Sequence, residues 1–477
     1  MTSIPAPDLR SADAAMPAPR TIEAAVVAGF TATIASWIVW WLTHLPGLGV
    51  PTKFAAAVLT LTLVVALAST ARLATAPFRT AVFGGLIAGI LNLLILGSVL
   101  GEQADSAEAM RSAANRFREG APSIIMGYLL VTTLAGVIGG GLAASFRAPG
   151  ADRTSPGRWL ARFAIIVVLS FFPLLMIGGA VTGTESGMAV PDAVTSYGAF
   201  SALLPMSMMA EPRIFLEHTH RLFGTLVGLN AIALVVFAFR AERRMAPKVL
   251  AFVLLFLVIT QGIFGAIRVG AVSSGLAAVH GVFAQFVLAF AVVTACKLSV
   301  LDRAQAAASQ GALDDRTLHA ARKGIKITHI AAVALFIQLV FGALGRHLPN
   351  GSHAVWTHAG FSVVVVLLTV MAAATLRIAT PAHKEGRLLR RVGLALTVLV
   401  FLQFVLGFMT LWQVGVGGAE PIPSAEELAS ARAIDPLEAI ITTAHQTIGA
   451  TLLALVTLGV YWTKRISKAR TPIAARA

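Results

Sequence analysis

The stretch IFLEHTHRLFGTLVGLNAIALVVFAF, residues 214–239, decides the fold class. From Leu222 onward it is almost wholly apolar, and it is long enough to cross a bilayer once as a helix. Similar runs recur along nearly the whole chain, which is 57% hydrophobic and only 12% charged, with a mean hydropathy of +0.81. A soluble domain does not have this composition. The sequence therefore predicts an all-α polytopic membrane protein.

Apolar runs of about 20 residues, the length of one spanning helix, define twelve predicted spans. They cover residues 24–46, 54–71, 80–100, 121–146, 161–182, 218–239, 249–267, 277–299, 327–345, 356–377, 392–412 and 440–462.

The net charge of +15 is distributed as a membrane topology signal. Lys and Arg lie in alternate short connections and at the C-terminus, so the positive-inside rule predicts both termini in the cytoplasm of a bacterial-type cell, in its inner membrane. This distribution argues against nucleic acid as a partner. Residues 1–20 lack the basic-then-apolar order of a cleaved signal peptide and are expected to be a disordered cytoplasmic tail.

An internal repeat follows residue 150. The motif Gln-x-x-(Phe/Leu)-Gly occurs as QGIFG at 261–265, QLVFG at 338–342 and QFVLG at 403–407. The fifth span ends in LLMIGGAVTG (174–183), a fourth copy without the glutamine. Each of these helices precedes one with a histidine near its start, so the last eight spans are predicted to form two pseudo-symmetric four-helix bundles. The four histidines are His220, His280, His358 and His445.

These four imidazoles predict haem iron. The predicted topology places all of them near the outer face, inside the membrane, where ionisable groups are costly and usually functional. Two pairs of facing histidines are what two bis-histidine haem sites need, and helix bundles offer them. The pairs are His220 with His280, and His358 with His445. The single cysteine, Cys296, excludes an intrachain disulfide or a thiolate cluster.

Helical phase selects among the polar residues of the opening stretch. His218 and His220 are two residues apart, so they cannot bind the same iron. Glu217 shares a face with His220, and Arg221 lies one turn beyond Glu217. We expect Glu217 to be a desolvated carboxylate that moves protons, the alternative being an N-terminal helix cap. Arg221 either holds a haem propionate or pairs with Glu217.

The remaining histidines of the later spans have smaller expected roles. His329 is expected at the start of an inward-side helix, on the wrong face for iron. His319 and His383 are placed in basic inner loops and are expected to be only solvated. His347 and His353 flank a short outer turn and are candidates for contact with a propionate.

Taken together, these residues resemble a known family. The segments that carry the resemblance include EHTHRLFGTLVGL (217–229), QGIFGAIRV (261–269), AAVHGVFAQ (277–285), WTHAGF (356–361) and TAHQTIGA (443–450). They resemble the haem A synthase family of cytochrome oxidase assembly over about residues 160–465. The Glu-x-x-His-Arg motif is the most specific of them.

The resemblance implies an eight-helix bundle of two halves with one haem site in each. Family members oxidise the C8 methyl of haem O to a formyl group, which gives haem A. By this analogy Glu217, His220 and His280 receive haem O, while His358 and His445 hold a haem b that passes electrons. The chain departs from the family pattern in having no cysteine pair in the outer loop. His358 is also not followed by an arginine.

The expected domain organisation follows from the repeat and from the Pro/Gly/Arg-rich connector near residue 150. It comprises an N-terminal four-helix region of unknown role, a linker, a first half with the substrate haem, a second half with haem b, and a basic cytoplasmic tail. These cover residues 21–150, 151–160, 161–310, 311–465 and 466–477. Expected partners are haem O, membrane lipid, an electron donor such as a quinol, and haem O synthase; homo-oligomerisation is left open.

Two other functions use the same features. A dihaem electron-transfer protein, such as a quinol or cytochrome oxidoreductase, needs the four histidines but gives Glu217 no role in turnover. A transporter is the second alternative, because internal repeats often enclose a midplane site. Here the histidines lie near one face, and no span is obviously broken by a central Pro-Gly pair.

Overall fold

The computed structural model describes residues 21–468 except 105, 114, 149–154, 193, 308–312, 350, 382 and 416–431. Within these ranges the secondary structure is helical, and no strand is formed. Twelve of the helices are long and apolar enough to cross a membrane. The predicted all-α polytopic fold and the predicted number of spans are therefore confirmed.

The spanning helices are numbered α1 to α12 in chain order. They are α1 Thr21–Thr43, α2 Thr52–Ala71, α3 Pro77–Leu100, α4 Ala121–Ser145, α5 Pro156–Gly183, α6 Pro212–Ala241, α7 Met245–Gly270, α8 Ser274–Leu298, α9 Asp315–His347, α10 Ser352–Arg377, α11 Lys384–Val414 and α12 Pro436–Ile466. Two shorter helices cover Ala107–Ser112 and Val300–Ala307.

Several helices begin earlier than the hydropathy predicts, and α9 differs most. It begins at Asp315, where the carboxylate of Asp314 accepts a hydrogen bond of 2.9 Å from the amide of Thr317 and caps the helix. His319 therefore lies in a helix, and the expectation of a loop was wrong. His329 lies in the interior of α9 and does not start it. Polar residues that form helices well extend α9 beyond its apolar segment, which hydropathy alone does not detect.

Two other predicted boundaries also change. Helix α5 begins at Pro156 after its N-cap Ser155, so the linker predicted to end at residue 160 ends earlier. His383 is the N-cap residue of α11, and its Nε2 lies 3.8 Å from Oδ2 of Asp314. Three segments lie wholly or mostly outside the described residues. They are the predicted tail at 1–20, the predicted tail at 466–477 and the connection between α11 and α12.

The described chain separates into two compact units, residues 21–255 and 256–468. The first contains α1 to α6 and the beginning of α7, and the second contains the rest of α7 and α8 to α12. The division into halves at 161–310 and 311–465 stays a prediction.

In the first unit, α1 to α4 pack as a four-helix bundle in the order α1, α2, α4, α3 around its axis. Glycines allow the closest approach. A Cβ atom on Gly85 would lie 3.2 Å from Cα of Gly136, and a Cβ on Gly140 would lie 3.0 Å from Cα of Phe78. Small residues thus allow close helix packing in this region. Helices α5 and α6 pack against each other and against α1.

In the second unit, α9, α10, α11 and α12 form a ring in which each helix packs against the next. Helix α8 packs on α9 and α12. The side of α12 that faces α9 is lined by small residues. A Cβ atom on Gly459 would meet a methyl carbon of Thr328 at 3.6 Å. The chain order of the ring brings the starts of α10 and α12 to the same end of the bundle, which positions their histidines.

Candidate functional site

The glycine of each repeat motif lies against the histidine of the following helix. If the glycine carried a side chain, its Cβ would press on Cε1 of the imidazole, so the missing side chain makes room for the ring. We call these four contacts the glycine seats. The Cβ–Cε1 distances would be 2.9 Å for Gly178 and His220, 3.0 Å for Gly265 and His280, 3.0 Å for Gly342 and His358, and 3.2 Å for Gly407 and His445.

The motif glutamines contact the same histidines. Nε2 of Gln261 donates to the main-chain oxygen of His280 at 3.0 Å and lies 3.2 Å from its Nδ1. The side chain of Gln338 donates to the main-chain oxygen of His358 at 2.8 Å. The repeat seen in the sequence is therefore a repeated three-dimensional contact. In each case the glutamine and the glycine lie four residues apart on one helix, and both face the histidine of the following helix.

The protonation of His358 follows from its partner. Its Nδ1 lies 2.9 Å from the main-chain oxygen of Gln338. A carbonyl oxygen only accepts, so Nδ1 carries the proton and Nε2 is the nitrogen with a free lone pair. Histidines that bind metals are commonly held in this way, with the second nitrogen bonded to a carbonyl.

His358 and His445 face each other across the second unit. Their ring centres are 6.1 Å apart, and the ring planes are inclined by 73°. Iron held between two imidazoles separates the ring centres by about 6 Å, because each metal–nitrogen bond is about 2 Å long and each centre lies about 1 Å behind its nitrogen. The separation of the rings fits one haem iron between them.

The seat of His358 gives a direct test of this fit. Gly342→Val is expected to push the imidazole out of position, since overpacking typically costs about 1–3 kcal/mol, which corresponds to a roughly 5- to 150-fold weaker haem affinity. The measurement is haem retained per protein after dilution in detergent. Gly360→Val is the matched control, because a Cβ there meets no atom within 4 Å. Equal haem retention in both variants would contradict the role of the seat.

Glu217 is buried and fully paired in the first unit. Its side chain lies on α6 and the residue is only 4% exposed. Oε1 accepts from NH2 of Arg221 at 2.6 Å, and Oε2 accepts from the main-chain amide of Val190 at 2.8 Å. The predicted proximity of Glu217 and Arg221 is confirmed. Both also hold the connection between α5 and α6, residues 184–211, which we call the α5–α6 loop.

Arg221 bonds mostly to main-chain oxygens of that loop. NH1 donates to Asp192 O at 2.7 Å and to Thr195 O at 2.9 Å, and NH2 donates to Val190 O at 3.0 Å. The guanidinium thus pairs with Glu217 and fastens the loop at three carbonyls. Two partners were expected for Arg221, a haem propionate or Glu217. Among the described residues, Arg221 contacts the carboxylate of Glu217.

Tyr197 closes the same loop over the carboxylate. Its hydroxyl donates to Ala189 O at 3.2 Å, and the ring is buried. Burial raises the pKa of the Tyr197 phenol, and the negative charge of Glu217 raises this pKa further. The phenol therefore stays protonated beside the carboxylate and keeps its hydrogen bond to the loop.

The cap at the start of α6 is Glu211. Its carboxylate accepts from the amide of Ile214 at 2.7 Å, and the helix begins at Pro212. Glu217 lies more than one turn inside the helix, so it is not the cap. His218 is completely buried, and neither of its ring nitrogens has a hydrogen-bond partner among the described residues.

His347 and His353, which flank the turn between α9 and α10, differ in surroundings. His347 is the last residue of α9 and lies within electrostatic reach of Arg268 and His280. His353 lies exposed in the first turn of α10. His220 belongs to the first unit and His280 to the second, and their pairing stays a prediction.

Sequence reasoning missed the main-chain partners of the site. The amide of Val190 and the carbonyls of the α5–α6 loop have no side-chain signal, so no motif identifies them. Arg213, whose Nε donates to Thr184 O at 3.1 Å, was also missed. Arg268, which lies near His347, does have a signal in the sequence, because it is the only charged residue of QGIFGAIRV.

Known proteins resemble this chain over its later helices. A family model described as cytochrome oxidase assembly protein matches residues 161–360. A haem A synthase of Exiguobacterium sp. is 28% identical over 287 residues, which is 55% of this chain and 86% of the relative. A haem A synthase of Lysinibacillus sphaericus is 23% identical over 282 residues, 53% of this chain and 86% of the relative. One from Hyphomonas neptunium is 28% identical over 141 residues, 25% of this chain and 40% of the relative. No solved structure matches the chain significantly.

Proposed function

We propose that the protein oxidises the C8 methyl group of haem O to a formyl group and so forms haem A. Residues 161–360 of this multi-pass membrane chain match the cytochrome oxidase assembly family, and the similarity to two haem A synthases supports the proposal. Haem O is the substrate and haem b the resident cofactor. The observation that carries the proposal is the pair of imidazoles of His358 and His445, whose ring centres lie 6.1 Å apart, each in its glycine seat.

The proposed roles follow from where the residues lie. His358 and His445 would bind haem b in the second unit, and the contact of His358 Nδ1–H with Gln338 leaves Nε2 as the nitrogen that could bind iron. A bound haem b supplies one-electron transfer. His220 and His280 bind the substrate haem. The seats of Gly178 and Gly265 resemble those of the other two histidines and support a ligand role for His220 and for His280, each within its own unit.

Glu217 is the proposed proton-handling group. Its carboxylate is buried on the α6 face that carries His220, and conversion of a methyl to a formyl group requires proton transfers in which a carboxyl group can accept or donate the proton. Arg221 keeps the carboxylate oriented through the contact of 2.6 Å and keeps the α5–α6 loop closed over it. Exclusion of water from this region strengthens both interactions.

The proposal includes a location and partners. The protein would lie in a bacterial inner membrane with both termini in the cytoplasm and the histidines toward the outer face, as the Lys/Arg distribution predicts. Haem O would enter from the lipid, and haem O synthase would supply it. Electrons would come from a membrane donor such as a quinol.

The test is production of haem A by the protein itself. Membranes from cells that make haem O but no haem A are expected to contain haem A once this chain is expressed, as seen by chromatography and mass. Absence of haem A from protein that carries haem b would overturn the proposal in favour of a dihaem electron-transfer protein. Purified protein without any haem spectrum would reject both.

A further inference from the structure

The four N-terminal helices have no role in the proposed function, yet three of them, α1, α3 and α4, are joined by a chain of mostly buried polar groups. Nε1 of Trp37 on α1 donates to Oδ1 of Asn92 on α3 at 2.9 Å. The amide nitrogen of Asn92 donates to the hydroxyl of Tyr128 on α4 at 3.0 Å. Buried polar groups with satisfied partners favour one arrangement of these three helices.

Helix α1 of this bundle contacts α6 at the site. Nε1 of Trp41 donates to Oγ1 of Thr219 at 3.2 Å. One turn away, the ring of Trp37 meets the ring of Phe223 edge-on, with centres 5.4 Å apart. Thr219 is two residues from Glu217, so α1 holds the side of α6 that is nearly opposite to the carboxylate.

The outer end of α3 contacts the α5–α6 loop without any side chain between them. A Cβ atom on Gly97 would overlap the carbonyl oxygen of Ala202, and one on Gly101 would lie 2.6 Å from the carbonyl oxygen of Leu203. Only glycine permits this approach. The loop backbone therefore rests directly on the backbone of α3.

The segment after α3 adds two hydrogen bonds to the same loop. Oδ1 of Asn115 accepts from the amide of Phe200 at 2.8 Å, and the hydroxyl of Ser207 donates to Ala104 O at 2.6 Å. The loop is consequently held from two directions, by Glu217 and Arg221 of α6 and by the N-terminal bundle.

We propose that the N-terminal four-helix region is a positioning domain, which clamps the α5–α6 loop and α6 through Trp41, Gly97 and Gly101 and so holds Glu217 in place. The clamp itself follows from the contacts. Its effect on haem O oxidation rests on the proposed function. Trp41, Gly97 and Gly101 act through other residues and touch no reacting group.

The first test measures the clamp without haem. Ala189, buried in the loop, is replaced by cysteine in a full-length Cys296→Ser background, and maleimide labelling of Cys at 189 is timed in detergent. Gly97→Val is expected to raise the labelling rate about tenfold or more, because the loop opens locally. Gly141→Val on α4 is the matched control, since a Cβ there meets no atom within 4 Å, and labelling should stay slow.

A milder variant keeps the test decisive if Gly97→Val does not fold. Asn115 has a φ of 61° and is exposed, so Asn115→Gly removes the hydrogen bond to Phe200 without backbone strain. It is expected to raise the labelling rate in the same direction by a smaller factor. Labelling rates that match the parent in folded Gly97→Val and in Asn115→Gly would overturn the clamp.

The second test measures the consequence at the site. In the Gly97→Val variant, the absorption band of added haem O should shift and the haem A yield should fall, while the haem b spectrum stays unchanged. A normal haem O band and a normal yield in a variant with fast labelling would overturn the positioning role. If the parent protein itself makes no haem A, the proposed function fails, and the labelling rates still decide the clamp.

Discussion

His358→Ala is expected to remove the b-type haem spectrum of the purified protein. The side chain supplies one of two facing imidazoles, whose ring centres are 6.1 Å apart, and its tautomer is fixed by the main-chain oxygen of Gln338. Loss of partners that merely orient a metal ligand costs about 10- to 100-fold in affinity, so loss of the ligand itself should cost at least as much. The measurement is the reduced-minus-oxidised spectrum together with haem per protein.

The control for this variant is another histidine of the second unit. His329→Ala alters an exposed histidine in the interior of α9 and should leave the b-type spectrum unchanged. His445→Ala should behave like His358→Ala. A b-type band of normal height in either ligand variant would show that haem b is held elsewhere and would invalidate the assignment of the two halves.

Glu217→Gln is expected to lower haem A formation by about 10²- to 10⁴-fold, the usual contribution of a general acid or base. Glutamine keeps the shape of the side chain, but its amide cannot carry the proton. It also removes the negative charge that pairs with Arg221 at 2.6 Å and leaves that guanidinium beside a neutral amide. Breaking a buried pair in this way costs about 3–5 kcal/mol of stability, so the melting temperature in detergent should fall as well.

Arg221→Gln separates proton handling from loop anchoring. It breaks the same ion pair and removes the contacts of Arg221 with the loop, yet the protein keeps the titratable carboxyl group of Glu217. We expect a similar loss of melting temperature but a haem A yield within about tenfold of the parent protein. An equal loss of haem A yield in both variants would contradict the proton-handling role of Glu217. Its role would then be only to hold the α5–α6 loop.

Long periodic features of this chain were predictable from sequence, because they depend on local composition. The twelve apolar segments follow from the cost of unpaired backbone groups in lipid, and the repeated motif pointed to the four histidines. The proximity of Glu217 and Arg221 follows from helical phase alone. The start of α9 could not be found from hydropathy, since residues 315–326 are polar and still helical.

Contacts between distant parts of the chain were not predictable from one sequence. The hydrogen bond from Trp41 to Thr219 joins residues 178 positions apart, and neither residue type signals the other. Val190 contributes only its main-chain amide, which every non-proline residue possesses. The role of the α5–α6 loop was therefore visible only in the structure.

The glycine seats have a consequence for how such a protein can change. Each seat needs only one helix pair, whatever joins the two helices. The connection between α7 and α8 covers residues 271–273, whereas the one between α5 and α6 covers 184–211, and the contact between glycine and imidazole is alike in both. A longer connection between the two helices thus leaves the glycine seat of the imidazole intact. Evolution can elaborate the loops, and attach further helices to them, while the glycine seats stay the same.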